Sequence, residues 1–183
     1  MEETLIDRME SKDFVGFWKR VLISFLDVFI LAVPLLLLYY VSNSLAVHWE
    51  SEIPIITRWI LMNMFYIFMI VKFGGTPGRL ILKARIVNEA GNYPTVKQAL
   101  IRCSFLLLGT VFSIIDNLNQ FNYSFDSVQL SDLAQLASDL DAILGWVIIV
   151  DCLFVVFNKQ NRALHDLMAG TYVVKKSALS ILD

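Results

Sequence analysis

From Val21 to Tyr40 the chain runs for twenty residues with one charged side chain, Asp27. A helix of about 20 apolar residues spans the hydrocarbon core of a bilayer, so this stretch can cross a membrane. An ionisable group inside it costs several kcal/mol or more, which marks Asp27 as a group with a task. Three more apolar blocks follow, giving candidate spans at about Trp18–Val41, Pro54–Phe73, Ala99–Ile115 and Asp141–Phe157. Of the 183 residues, 57% are hydrophobic and 17% charged, against roughly 45–50% and 25% in soluble domains. The expectation is an all-α membrane protein with four transmembrane helices in one membrane domain over residues 17–174, preceded by an N-terminal arm (1–16) and followed by a tail (175–183). The first fifteen residues are acidic and carry no apolar h-region before the first span, so no signal peptide is read there. Cys103 and Cys152 fall inside apolar segments and read as small buried hydrophobes.

Basic residues set the orientation. Arg8, Lys12, Lys19 and Arg20 lie in the N-terminal arm and at its junction with the first span. Lys72, Arg79, Lys83, Arg85 and Lys97 lie between the second and third spans, with Arg102 just inside the third; the tail holds Lys159, Arg162, Lys175 and Lys176. The opposite side has Arg58 alone. The positive-inside rule then places both termini and the middle loop in the cytoplasm. Trp18 at the inner boundary and Trp49 and Trp59 near the outer one fit interfacial anchors. The outer segment Asp116–Leu140 has no lysine or arginine and four aspartates, Asp116, Asp126, Asp132 and Asp139. Within it Val128, Leu133, Leu136, Ala137 and Leu140 stand near helical spacing, with Asp126 and Gln129 placed as a cap. This predicts a short amphipathic helix on the outer surface.

The middle loop is punctuated by Gly74-Gly75 and Pro77-Gly78. Ile81 to Val87 reads as a short strand or interfacial segment, Glu89 to Asn92 as a turn, and Thr95 as the cap of the third helix. The glycines do not end in the Gly-Lys-Ser/Thr that a phosphate-binding loop needs, which excludes a Walker site.

The intramembrane charges carry the chemistry. Arg20 and Asp27 are about 10.5 Å apart in rise and nearly on one helix face, with Ser24 between them. Pro34 cannot donate to Ile30, and the carbonyl freed by a kink there would make, with Asp27, a cradle for a hard cation. Asp151 lies about as far from the cytoplasmic end of the fourth span as Asp27 does from that of the first, about 10 Å in. If those spans are neighbours the two carboxylates meet, and one holds a proton near neutral pH. Asp27 and Asp151 are therefore the candidate ion and proton site, with Arg102, Ser24 and Asn63 supporting it. The competing reading is structural: Arg20 or Arg102 neutralises an acid and locks the bundle. His165-Asp166 lacks the third and fourth ligands of a metal site and a nucleophile for a hydrolase. Asp166 is expected instead to cap its turn or tie it to a basic residue of the first helix, with Gly170 allowing a bend before Thr171. No metal, cofactor, nucleic-acid partner or enzymatic activity is read from the chain.

These residues resemble the RDD family of small membrane proteins, named for one arginine and two aspartates. Arg20 and Asp27 match in the first span, and Asp166 matches within HDLMAGT (His165–Thr171). The run GGTPGRLILKARIVNEAGNYPTVKQALIR resembles the family's middle segment, with Arg79 where a lysine is usual. The resemblance implies a bacterial cytoplasmic-membrane protein in which Arg20, Asp27 and Asp166 matter, and transport, most concretely monovalent cation–proton antiport. The expectation is thus a sodium/proton antiporter in which Asp27 and Asp151 carry the ions. Arg20 tunes Asp27; Arg20, Arg102, Asp166 and His165 serve as charge partners or gate, the gate including Asp27; and a homodimer supplies missing wall. The alternative is a non-transporting scaffold, assembly factor or auxiliary subunit.

Overall fold

The computed structural model describes residues 5–122 and 128–179. The expected capping role of Asp126 lies outside them. Helices dominate: α1 (Phe17–Trp49), α2 (Ile53–Phe73), α3 (Pro77–Ile81), α4 (Val96–Arg102), α5 (Ser104–Asn122), α6 (Val128–Phe157), α7 (Leu164–Met168) and α8 (Lys176–Leu179). Two strands, β1 (Ala84–Asn88) and β2 (Thr171–Lys175), form an antiparallel pair with Ala84 opposite Lys175 and Asn88 opposite Thr171. The all-α expectation is corrected accordingly. Among the described residues three helices are long and apolar enough to cross a membrane, or up to four if α4 and α5 count as one broken span. Their large apolar side chains are widely exposed, among them Phe29, Leu36, Phe68, Ile143 and Phe157, as in helices that face lipid. The chain is a membrane protein.

Three further expectations change. The third span is interrupted at Cys103, whose amide still bonds Ala99 O before a new helix starts at Ser104. The outer amphipathic segment is not a separate helix. It is the first part of α6, which runs unbroken because nothing between Val128 and Asp141 is a glycine or proline. In that part the buried positions are Ala134 and Ala137, while Leu133, Leu136 and Leu140 are exposed. Small residues let a neighbouring helix backbone approach, so they, and not the leucines, take the packed face. Cys152 is exposed, whereas Cys103 is buried.

The described chain forms two compact units. The first comprises residues up to Leu31, Phe65–Ser104 and Ile149 onward. Here the N-terminal arm adds to the strand pair. Phe14 bridges Val174, Val15 N donates to Val173 O, and Ile6, Phe14, Val87, Tyr172 and Val174 make a small core. The turn after β1 closes with Asn88 N to Asn92 O, and Gly91 takes a positive φ of 80°. Thr95 caps α4 reciprocally with Gln98: Gln98 N donates to Thr95 Oγ1 and Thr95 N to Gln98 Oε1. The second unit comprises Ala32–Met64 and Phe105–Ile148. Within it α5 meets α6 at Gly109, where an added Cβ would stand 3.4 Å from the Leu144 side chain.

Candidate functional site

The first unit gathers the charged residues of interest around two short-helix termini, those of α3 and α7. Such a terminus exposes N–H groups without intrahelical partners, and a carboxylate there is stabilised by hydrogen bonding and by the helix dipole. Asp27, buried on α1, takes the start of α3. Gly78 N donates to Asp27 Oδ1 at 2.7 Å and Thr76 Oγ1 donates to Oδ2 at 2.5 Å. Thr76 is the N-cap of α3 and Pro77 opens it. Arg79 Nη1 in turn donates to Thr76 Oγ1 at 3.2 Å. Asp27 thus accepts from donors at the start of α3, and α1 continues through Pro34 as one helix.

Asp166, fully buried in α7, is the hub of the second set. Its Oδ2 accepts from Ala163 N at 3.1 Å and from Arg20 Nη1 at 2.7 Å. Its Oδ1 pairs with Arg102. Arg20 also donates to Asn161 O at 2.6 Å and Val15 O at 3.1 Å, so it joins the arm, α1 and the loop before α7. Arg102 Nη1 reaches Thr171 Oγ1 at 2.9 Å, at the start of β2. Arg162 lies over the Tyr172 ring and donates to Asp166 O at 3.1 Å.

Asp151, on α6, also takes the start of α7. Its Oδ1 accepts from His165 N at 2.8 Å and its Oδ2 lies 2.5 Å from His165 Nδ1. His165 Nε2 is 3.5 Å from Asp166 Oδ1. Burial, reinforced by the Arg102 and Arg20 charges, pushes the imidazole from its ordinary 6.5 down to about 4, against the opposing pull of Asp151. At neutral pH the ring is neutral and its Nδ1–H donates to Asp151. The unfolded chain binds this proton more readily between pH 6.5 and 4, so stability present above 6.5 is lost as pH falls through that window. Thermal unfolding in detergent should show a decline on the order of 2–3 kcal/mol across it, absent in His165→Gln.

The sequence candidates thus divide. Asp166, Arg20, Arg102 and His165 are brought together, with Asp151 joined through His165. Asp27 has its own partners, and no hydrogen bond links it to Asp151 or Arg20 among the described residues. Ser24 Oγ folds back on Arg20 O, 3.1 Å away, and supports no carboxylate. Asn63 belongs to the second unit, where it accepts from Thr110 Oγ1 at 3.1 Å. The expected anchor Trp59 is tied to Thr110 O there at 2.9 Å. Sequence reasoning missed Thr76 and Gly78. Their signal was present, since Thr-Pro-Gly is an N-cap, a proline at N1 and a small N2 residue.

A family model described as the RDD family matches residues 14–170. The chain is 25% identical over 160 residues to the uncharacterized protein YckC of Bacillus subtilis (strain 168), covering 86% of this chain and 82% of that one. It is 29% identical over 121 residues to the uncharacterized protein YxaI of the same organism, covering 54% of this chain and 80% of that one. No solved structure matches the chain.

Proposed function

Because the chain belongs to the RDD family of membrane proteins, we propose that its arginine and aspartates are the fastening of a non-transporting membrane module, a scaffold, assembly factor or auxiliary subunit. Both termini and the first unit lie on the cytoplasmic side in this reading. The observation that carries it is the engagement of both oxygens of Asp27 by protein donors. Both oxygens are held by short bonds from Thr76 and Gly78. A cation entering there would meet two donors that already present their hydrogens to these oxygens.

Monovalent cation–proton antiport is the second reading. It moves from Asp27 to the Asp151–His165 pair, where a carboxylate shares a hydrogen with an imidazole. His165 lines a cavity of about 140 Å³ together with Arg20 and Arg79. Two guanidinium groups beside that space repel a cation, which weighs against the reading.

Everted vesicles loaded with a pH-gradient dye separate the two. Sodium, lithium or potassium should give no dequenching above that of vesicles without the protein. Asp27→Asn should lower the melting temperature, because an amide offers one uncharged oxygen where the carboxylate offers two charged ones to Thr76 and Gly78 N; the loss should be about 1–3 kcal/mol. Dequenching that depends on the protein and vanishes in Asp151→Asn at unchanged stability establishes antiport instead.

A further inference from the structure

We propose that the second unit binds an anionic amphiphile, its carboxylate or phosphate head on Arg58 and its apolar body in the adjoining cavity. The cavity measures about 510 Å³, within the range of small-molecule sites. Leu36, Met62, Ile114 and Trp59 contribute to its walls, and Arg58 and Asn117 border it. It lies wholly within residues of the second unit.

Arg58 is buried, 7% exposed, on a membrane-spanning helix. Among the described residues no carboxylate pairs with it. It is held by neutral groups alone: Nη1 donates to Ser42 Oγ at 2.9 Å and Asn43 Oδ1 at 3.0 Å, and Nη2 to Asn117 Oδ1 at 3.2 Å. The Tyr39 ring lies 4.5 Å from the guanidinium carbon. Three of the five N–H groups of an arginine are used in these bonds, leaving two for an anion. A buried charge is expensive until it is paired, so these neutral partners orient the guanidinium without neutralising it.

Most of the other polar groups around the cavity are turned on each other. Trp59 Nε1 donates to Thr110 O, Thr110 Oγ1 to Asn63 Oδ1, Asn63 Nδ2 to Trp59 O and Asn117 Nδ2 to Ser113 O. A sugar or other many-hydroxyl ligand would find few free partners here, and a cation would meet Arg58. One negative head on an apolar body satisfies both the free N–H groups and the walls.

Bromine quenches tryptophan at short range, and Trp59 borders the cavity. The full-length protein in neutral detergent is titrated with 9,10-dibromostearate, with Trp59→Phe used to assign the quenching. The expected result is saturable quenching that Trp59→Phe removes and that dibromostearate methyl ester does not reproduce. Arg58→Gln should weaken the affinity about tenfold or more, the loss of charge-assisted hydrogen bonds, while Arg58→Lys largely restores it. Ala32→Phe, which fills the cavity from one wall and leaves the charge, should abolish binding. Vesicles of brominated phosphatidylglycerol and of brominated phosphatidylcholine supply the second arm. Saturable quenching by the former alone identifies a bilayer phosphate as the head, and quenching by free dibromostearate alone identifies a soluble carboxylate. Equal affinity for acid and ester overturns the proposal, as does unchanged affinity in Arg58→Gln. If Arg58→Gln fails to fold, the acid–ester comparison and Ala32→Phe decide it.

Discussion

Asp166→Asn should unfold the first unit or leave it barely folded, with a loss of about 3–5 kcal/mol, the cost of stranding a buried charge by removing its partner. Asp166 is fully buried, Arg102 has 3% of its side chain exposed and Arg20 14%. Removing one negative charge leaves two guanidinium groups facing each other with little water to screen them. The amide keeps an oxygen for Ala163 N, so capping of α7 survives in part and the loss reports chiefly the charge. Urea unfolding in detergent, or yield of folded protein where the variant does not accumulate, measures it. Asp166→Leu combined with Arg102→Met should recover part of the loss, because the double variant removes the charges as a pair and leaves only Arg20, the guanidinium with more access to water. A melting curve of Asp166→Asn that overlays wild type would remove the basis for the fastening role. The same result would return Asp166 to the list of candidate gating groups.

Local chemistry was legible in the chain, and long-range azimuth was not. The Thr95 cap, the turn at Gly91 and the first two spans follow from side chains that act on their own backbone within four residues. The tie from Asp166 to a basic residue of the first helix follows from a buried charge's need for a partner, but across 146 residues nothing in either segment picks out Arg20. The pairing of Asp27 with Asp151 was inferred from equal depth. Depth fixes a position along a helix axis and leaves rotation about it free, so two carboxylates at one level can face different neighbours. Asp27 faces α3 and Asp151 faces α7. The extra strand pair escaped for a related reason: Ile81–Val87 read as a strand or an interfacial segment because its partner lies beyond α6. Arg58 stands out as the lone basic residue on its side, and its neutral partners come from two separate parts of the chain, Ser42 and Asn43 on α1 and Asn117 on α5.

Gly78→Ala should be nearly as damaging as loss of Asp166, and it tests the role of Asp27 without touching a charge. A Cβ at Gly78 would stand 2.8 Å from Ile23 O and 2.9 Å from Asp27 Oδ1. The first of these atoms is backbone inside α1 and cannot rotate away, so α3 must move off α1. That movement breaks the Gly78 N to Asp27 bond and draws Thr76 from the other oxygen. Overpacking and the lost cap together should cost about 3 kcal/mol. Gly78 has no unusual φ, so the requirement is for closeness and not for backbone freedom. Thermal unfolding of Gly78→Ala, Asp27→Asn and the double variant then reads the coupling. If Asp27 serves to hold α3, the double variant should be little worse than Gly78→Ala alone, since the bond is already broken. If the two losses add in full, Asp27 stabilises the protein through something other than α3, and the carboxylate becomes free for an ion.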